Sequence, residues 1–254
     1  MSQSEKARFF QGLHTRKNPL VLYNIWDAGS AAAVAEAGAK ALATGSWSVA
    51  AAQGYDDGEK IPVSLLARVI ERIVETVDLP LSVDFEGAYD TDPQGAADNV
   101  AQVLDAGAVG INFEDQIVGG EGLHPIADQA KRIAAIRAMA EKRGIALFIN
   151  ARTDLFLKES NPSRHAALLA EAKERSKAFA DAGASGFFVP ALVDEALIED
   201  LCAASSLPVN ILAMPTAPDA TKLGELGVAR ISHGPFPYRA ALEWLRNAAA
   251  AVYE

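Results

Sequence analysis

The chain has 254 residues, 50% of them hydrophobic and 22% charged, with Lys+Arg 23 against Asp+Glu 33 for a formal net charge of -10. That balance belongs to a folded chain and excludes a disordered or collagen-like one. The acidic total also argues against nucleic acid as a partner, because a polyanion binder needs a basic stripe to displace counterions.

The length suits one (β/α)8 barrel, which fills ~250 residues as a single unit, so residues 1–254 are read as one domain. The single Cys, Cys202, permits no disulfide within the chain and no Cys-based zinc site. The first twenty residues, MSQSEKARFFQGLHTRKNPL, are polar and broken and lack the order of a secretory leader. No apolar run reaches the roughly 18 residues of a membrane span. A cytoplasmic protein without a membrane partner is expected.

In chain order, apolar runs of strand type fall at 20–25, 41–46, 81–87, 110–115, 146–153, 186–191, 208–214 and 229–234. Segments of helical period lie between and after them, at 64–77, 95–106, 126–143, 164–182, 194–205 and 238–253. Within 95–106, Ala97, Val100, Ala101 and Leu104 make one apolar stripe. Three helix ends share one form, with Gly38, Gly107 and Gly183 each following Ala and preceding an apolar run, where glycine accepts the left-handed angle that stops a helix. Repeated βα units of this kind need parallel strands and right-handed crossovers. Eight of them predict a TIM barrel, with an open doubly wound sheet as the alternative.

A barrel of this type carries its chemistry at the C-terminal ends of its strands. The residues there are unusually acidic: Trp26-Asp27 after the first run, Asp84-Phe85-Glu86 after the third, Glu114-Asp115-Gln116 after the fourth, and Arg152-Thr153-Asp154 after the fifth. Asp84 and Glu86, two apart in a strand, are expected on one face, toward the barrel axis. Beside Glu114 they would repel unless a cation lay between them. Oxygen ligands without a Cys or His cluster point to Mg²⁺, with Mn²⁺ as the alternative. The other reading is that these acids are solvated or paired with rim Arg and Lys.

Arg152 suits a substrate carboxylate, or else a structural ion pair with Asp154 or Glu114. The Gly45-Ser46-Trp47-Ser48 turn has backbone N–H groups to offer an oxygen gaining charge. No strand end carries the Lys of a Schiff-base aldolase. Cys202, among Leu197, Ile198 and Leu201, reads as a buried structural thiol. His233 alone of the four histidines stands at a strand end and reads as structural.

Taken in order, the segments from Tyr23 to Ala31, from Ala43 to Ala50 and from Gly54 to Gly58, with Val83-Asp84-Phe85-Glu86-Gly87, Phe113-Glu114-Asp115-Gln116 and Asn150-Ala151-Arg152-Thr153-Asp154, resemble the phosphoenolpyruvate mutase/isocitrate lyase superfamily, specifically its smaller phosphonomutase-like members. The resemblance implies a (β/α)8 barrel, often with its last helix exchanged between subunits in dimers or tetramers, and Mg²⁺-dependent chemistry on a 2-oxo acid or its enolate. It implies that Asp84 is the direct metal ligand, with Asp57, Glu86 and Glu114 holding the metal's waters. Asp57, Glu114 and Arg152 form the implied catalytic set. Trp26, Asp27, Ser46, Trp47, Arg152 and Asn210 form the implied substrate-binding set.

One departure narrows the activity. Where the isocitrate-type lyases carry a Lys-x-Cys-Gly-His loop, this chain has Ile117-Val118-Gly119-Gly120-Glu121-Gly122-Leu123-His124, which lacks the Cys. The Asn that phosphonate-cleaving members use there is also not evident. The expectation is a lyase-type enzyme that breaks a C–C bond, or decarboxylates an oxaloacetate-like acid, through a metal-stabilised enolate, with the 117–125 loop closing over it. Phosphonomutase or P–C hydrolase chemistry and a non-catalytic 2-oxo acid binder are the alternatives.

Overall fold

The computed structural model describes residues 1–253. Its strands are β1 (Leu20–Leu22), β2 (Leu42–Ala43), β3 (Leu81–Asp84), β4 (Gly110–Glu114), β5 (Phe148–Arg152), β6 (Gly186–Phe188), β7 (Val209–Leu212) and β8 (Arg230–Ser232). The helices are α1 (Gln3–Gly12), α2 (Ala28–Glu36), α3 (Ser46–Ala52), α4 (Val63–Thr76), α5 (Pro93–Asp105), α6 (Ile126–Lys142), α7 (Leu155–Lys158), α8 (His165–Asp181), α9 (Glu195–Ala204), α10 (Ala220–Glu225) and α11 (Phe236–Tyr253).

All strand pairs are parallel, in the order β1-β8-β7-β6-β5-β4-β3-β2. An isolated parallel bridge between Ile25 and Thr44 closes the ring, so the architecture is the expected (β/α)8 barrel. Helices cover the outside of most strands, Val21 in β1 excepted, while the filled bore also takes polar side chains such as Asn112, Asn150, Asn210 and Arg230. β4 is buried at all five positions. Gly38, Gly107 and Gly183 all stand at positive φ, between 97° and 100°, and end α2, α5 and α8 as expected.

The amino-terminal stretch read as broken forms α1, which starts from a reciprocal capping box between Ser2 and Glu5. It buries little more than Ala7 and Phe10, too narrow a stripe to show as a period. Phe10 meets Phe148 edge to face at 5.4 Å, and with Leu20, Leu22 and Val109 it plugs the bottom of the bore. Two strand boundaries also move. β2 stops at Ala43, and the residues from Ser46 on are already helical. β3 stops at Asp84, because Glu86, Ala88 and Tyr89 take left-handed backbone angles of 48°, 62° and 60°. The two-residue alternation therefore does not carry Glu86 to the face of Asp84.

Asn24 fastens the seam. Its Nδ2 donates to the Thr44 carbonyl at 2.8 Å, and its Oδ1 accepts from the His233 and Gly234 amides at 2.9 and 2.7 Å, tying β1 to the ends of β2 and β8. Asn24→Ala leaves one buried carbonyl and two amides without that partner. It is expected to lower the unfolding free energy by roughly 2–4 kcal/mol, read from denaturant midpoints.

Candidate active site

Strand register decides which charges meet. Cross-strand pairing sets Asp84 beside Asn112 and Glu114 beside Arg152. Arg152 Nη1 lies 3.0 Å from Glu114 Oε2, while its Nε and Nη2 grip Asp154 in a two-point fork at 2.6 and 2.9 Å. Burial alone would lower the Arg152 pKa, but Glu114 and Asp154 reverse this and hold it well above the ordinary arginine range. The ion pair is thus real, and Arg152 nonetheless lines the cavity at the top of the barrel. Asp154 is held from behind: its amide donates to Asp115 Oδ1 at 3.0 Å, and Asp115 Oδ2 receives Arg175 Nη1 at 3.0 Å.

The cavity measures about 230 Å³. That is below the roughly 300–1,000 Å³ usual for larger ligands and suits a small molecule. Asp57, Asp84, Ser46, Trp47 and Arg152 line it. Asp84 Oδ2 accepts both the amide and the hydroxyl of Ser46 at 3.0 Å, so both Ser46 donors are already spent. The other oxygen, Asp84 Oδ1, is buried with no hydrogen-bond partner.

Around it the acids are crowded. Glu86 is pushed up to about 8, first by burial and then by Asp57 and Asp84. Burial and the neighbouring Asp84 also raise Asp57. Glu114 is raised too, with burial outweighing the pull of Arg152. Glu86 reaches this cluster through its left-handed backbone, with Oε2 accepting the Glu59 amide at 2.9 Å.

Among the described residues no three His, Cys, Asp or Glu side chains converge as a ready set of direct ligands. One orphaned carboxylate oxygen with acids standing further back fits a cation that keeps most of its waters, as Mg²⁺ does.

Three residues of the expected substrate set lie outside the cavity wall. Asp27 caps α2, accepting the Ser30 amide at 2.7 Å. Trp26 packs edge to face on Tyr238 at 5.0 Å. Asn210 is fully buried in the bore, with its amide 3.1 Å from Ser232 Oγ.

The loop after β4 forms a small hairpin, with Gln116 bridged to Leu123. Its Val118 lies against Gly87, to the side of the cavity rather than across it. Cys202 is buried, its thiol pushed up to about 12, as a structural cysteine should be. Asn112 and Arg239 line the cavity without having been singled out in the sequence, and Ser232, at the end of the eighth run, lines it too. Asn112 carried a signal, since it stands two residues before Glu114 on one strand face. Arg239 carried none, since it reads as one more polar residue of a helix.

The family model described as phosphoenolpyruvate phosphomutase matches residues 9–253, and the chain belongs to this family. A crystal structure from Burkholderia cenocepacia J2315, whose phosphonomutase designation is provisional, is 46% identical with a TM-score of 0.96, over 98% of this chain and 99% of that one. The 2-methylisocitrate lyase of Escherichia coli K12 is 29% identical over 100% of this chain and 85% of its own. Phosphonopyruvate hydrolase in complex with oxalate and Mg²⁺ shares the fold at 20% identity and a TM-score of 0.84, covering 100% of this chain and 87% of the other. No helix among the described residues is long and apolar enough to cross a membrane.

The crowding has a measurable consequence. The folded chain keeps the Glu86 proton up to about pH 8, whereas an unfolded Glu loses it near 4.5. Between about pH 4.5 and 8 the folded state therefore binds more protons, and stability falls as pH rises. With chelator present, melting temperature is expected to decline across that window. Glu86→Gln should flatten its share of the slope.

Proposed function

We propose that this chain is a divalent-metal-dependent enzyme that binds a small 2-oxo acid and breaks a bond next to its carbonyl. The observation that carries the reading is Asp84: one oxygen fixed by Ser46, the other buried and unpartnered, at the wall of a cavity that also presents Arg152. Asp84 would hold the metal directly, and Asp57, Glu86 and Glu114 would hold its waters. When bound there, Mg²⁺ polarises the substrate carbonyl and stabilises the negative charge that develops as the bond breaks. The oxalate and Mg²⁺ in the phosphonopyruvate hydrolase complex are consistent with such a ligand pair.

The remaining work falls to the chain itself. Arg152 is held rigid by Asp154 and Glu114, and it keeps N–H donors for the substrate carboxylate. Ser46 aims Asp84 rather than touching substrate. The Trp47 amide, in the first turn of α3 with no side-chain cap ahead of it, is the donor for a substrate oxygen. The hairpin after β4 lies to the side of the cavity, and in this reading it would have to swing across the opening to exclude water.

The matching reactions are decarboxylation of an oxaloacetate-like acid or retro-aldol cleavage of a longer one. The 46% identical structure's designation favours P–C bond chemistry as a second reading of the same site. A panel of 2-oxo acids that includes oxaloacetate and phosphonopyruvate, assayed with Mg²⁺ and with chelator for substrate loss and for pyruvate, carbon dioxide, phosphate and phosphoenolpyruvate, separates the two. Turnover should require metal, and Asp84→Asn should reduce it at least about 100-fold. No metal-dependent binding of any panel member would remove the proposal.

We also propose that the chain self-associates through α11. Tyr238, Leu242, Leu245, Ala249 and Val252 form one apolar stripe. Only its start is buried on the barrel, however, and Leu245 and the adjacent Trp244 are 55% and 71% exposed. Meanwhile Val21 in β1 and Tyr23 just after it are 47% and 49% exposed, where a barrel strand is ordinarily covered by a helix. Exchange of α11 between two copies would cover both surfaces. The native mass by light scattering should be at least twice that of the monomer, and Trp244→Glu with Leu245→Glu should reduce it; a monomeric wild type would remove the proposal.

A further inference from the structure

The bore beneath the cavity holds a cation that the 2-oxo acid reading does not use. Arg230 is 1% exposed, and burial lowers its pKa only to about 9, so it is charged at neutral pH. Among the described residues it forms no ion pair. A buried guanidinium without a carboxylate partner is costly, so stability alone does not account for it.

Its contacts show what it holds. β8 and β4 face each other across the ring, and Arg230 spans the gap, with Nη2 donating to Asn112 Oδ1 at 3.1 Å. Asn150 Nδ2 donates to the same oxygen at 2.9 Å. A guanidinium offers only donors, so the atom of Asn112 that it meets has to be the oxygen, and Asn150 can reach that oxygen only through its nitrogen. Arg230 thereby sets the orientation of both amides.

The consequence reaches the cavity. Asn112 lines it, two residues before Glu114 on β4 and paired across the strands with Asp84. With Oδ1 taken by two donors from within the bore, Nδ2 is what Asn112 has left for a ligand. Ser232, which also lines the cavity, has no such donor to give. Its hydroxyl accepts from Arg230 Nε at 3.3 Å and Asn210 Nδ2 at 3.1 Å, and it donates to Asn210 Oδ1 at 3.3 Å. The inner end of the cavity therefore presents one fixed N–H donor beside the Asp84 carboxylate.

We infer that Asn112 is a substrate-binding residue whose Nδ2 donates to an oxygen of the bound acid, and that Arg230 is the positioning residue that holds the amide in that orientation. This rests on the 2-oxo acid reading and adds a donor, with its support, that the reading leaves unassigned. A carboxylate or carbonyl oxygen fits such a place, whereas a group that only donates, such as an ammonium, does not.

Calorimetric titration of oxalate at saturating Mg²⁺ tests the pair, with the melting temperature of each variant followed alongside. Asn112→Ala should weaken binding about 10-fold. Asn112→Asp keeps the shape and gives Arg230 an acid, but it turns the donor into an acceptor and should weaken binding further. Arg230→Met should cost nearly as much as Asn112→Ala, and in the Asn112→Ala background it should cost nothing more. A direct pull of the cation on Asp84, made without Asn112, would instead lower affinity by the same factor in both backgrounds. Arg230→Lys enters the same cycle if Arg230→Met does not fold. The inference is overturned if oxalate binds wild type and folded Asn112→Ala equally well, or if the folded Arg230 variant binds as wild type does or loses affinity equally in both backgrounds; the 2-oxo acid reading then stands. If oxalate fails to bind wild type with Mg²⁺, both fall together.

Discussion

The arrangement turns on an imbalance of buried charge. Asp57, Asp84, Glu86, Glu114 and Asp154 crowd one end of the bore, and the cation among them, Arg152, is spent on two of them, Glu114 and Asp154. Ionised carboxylates out of water are costly unless paired. Glu86 answers that cost by keeping its proton up to about pH 8, and what is left is the Asp84 oxygen buried without a partner, which is why it has chemical meaning. A second buried cation, Arg230, stands in the bore, donating to Asn112 at 3.1 Å. Burial lowers its pKa to about 9, with Asp84 the acid that opposes the shift.

Backbone strain sustains the crowding. Three left-handed residues within Glu86–Tyr89 would be unfavourable on their own. They are held by a reciprocal knot: the Glu59 amide donates to Glu86 Oε2 at 2.9 Å, and the Tyr89 amide to Glu59 Oε1 at 2.7 Å. Gly87 sits inside this knot, where a Cβ would come within 2.9 Å of Glu59 Oε1. Energy from the fold is thus applied to keep one more acid near Asp84 than a straight strand would deliver. The pattern is familiar in sites where geometry outranks local comfort.

A single helix links the cavity to the proposed assembly. The first turn of α11 supplies Tyr238 and Arg239 around Trp47, and the rest of the helix projects its apolar stripe away from the barrel. β8 ends at Ser232 and α11 begins at Phe236, so the helix cannot shift at its base without moving the cavity wall. Ligand contact and subunit contact, in this reading, share a lever arm.

The alternation of apolar runs with helical periods, and the glycines that end α2, α5 and α8, were enough to read eight βα units and a barrel, because those signals are local and repeated. The charged residues at the strand ends were legible for the same reason: Asp84, Glu114 and Arg152 directly follow or close apolar runs. Glu86 was assigned to the right cluster by the wrong geometry, since alternation assumes a strand that in fact ends two residues earlier. Asp27 looked like a rim acid but caps a helix, and Asn210 looked like a ligand contact but lies in the bore. Their residue types fit both roles, and only packing distinguishes them. The pairing of Arg152 with Glu114 depends on cross-strand register, and the placement of Arg239 over Trp47 on where a helix almost two hundred residues away begins. Neither is encoded in spacing along the chain, because both are relations between segments that meet only when the ring closes.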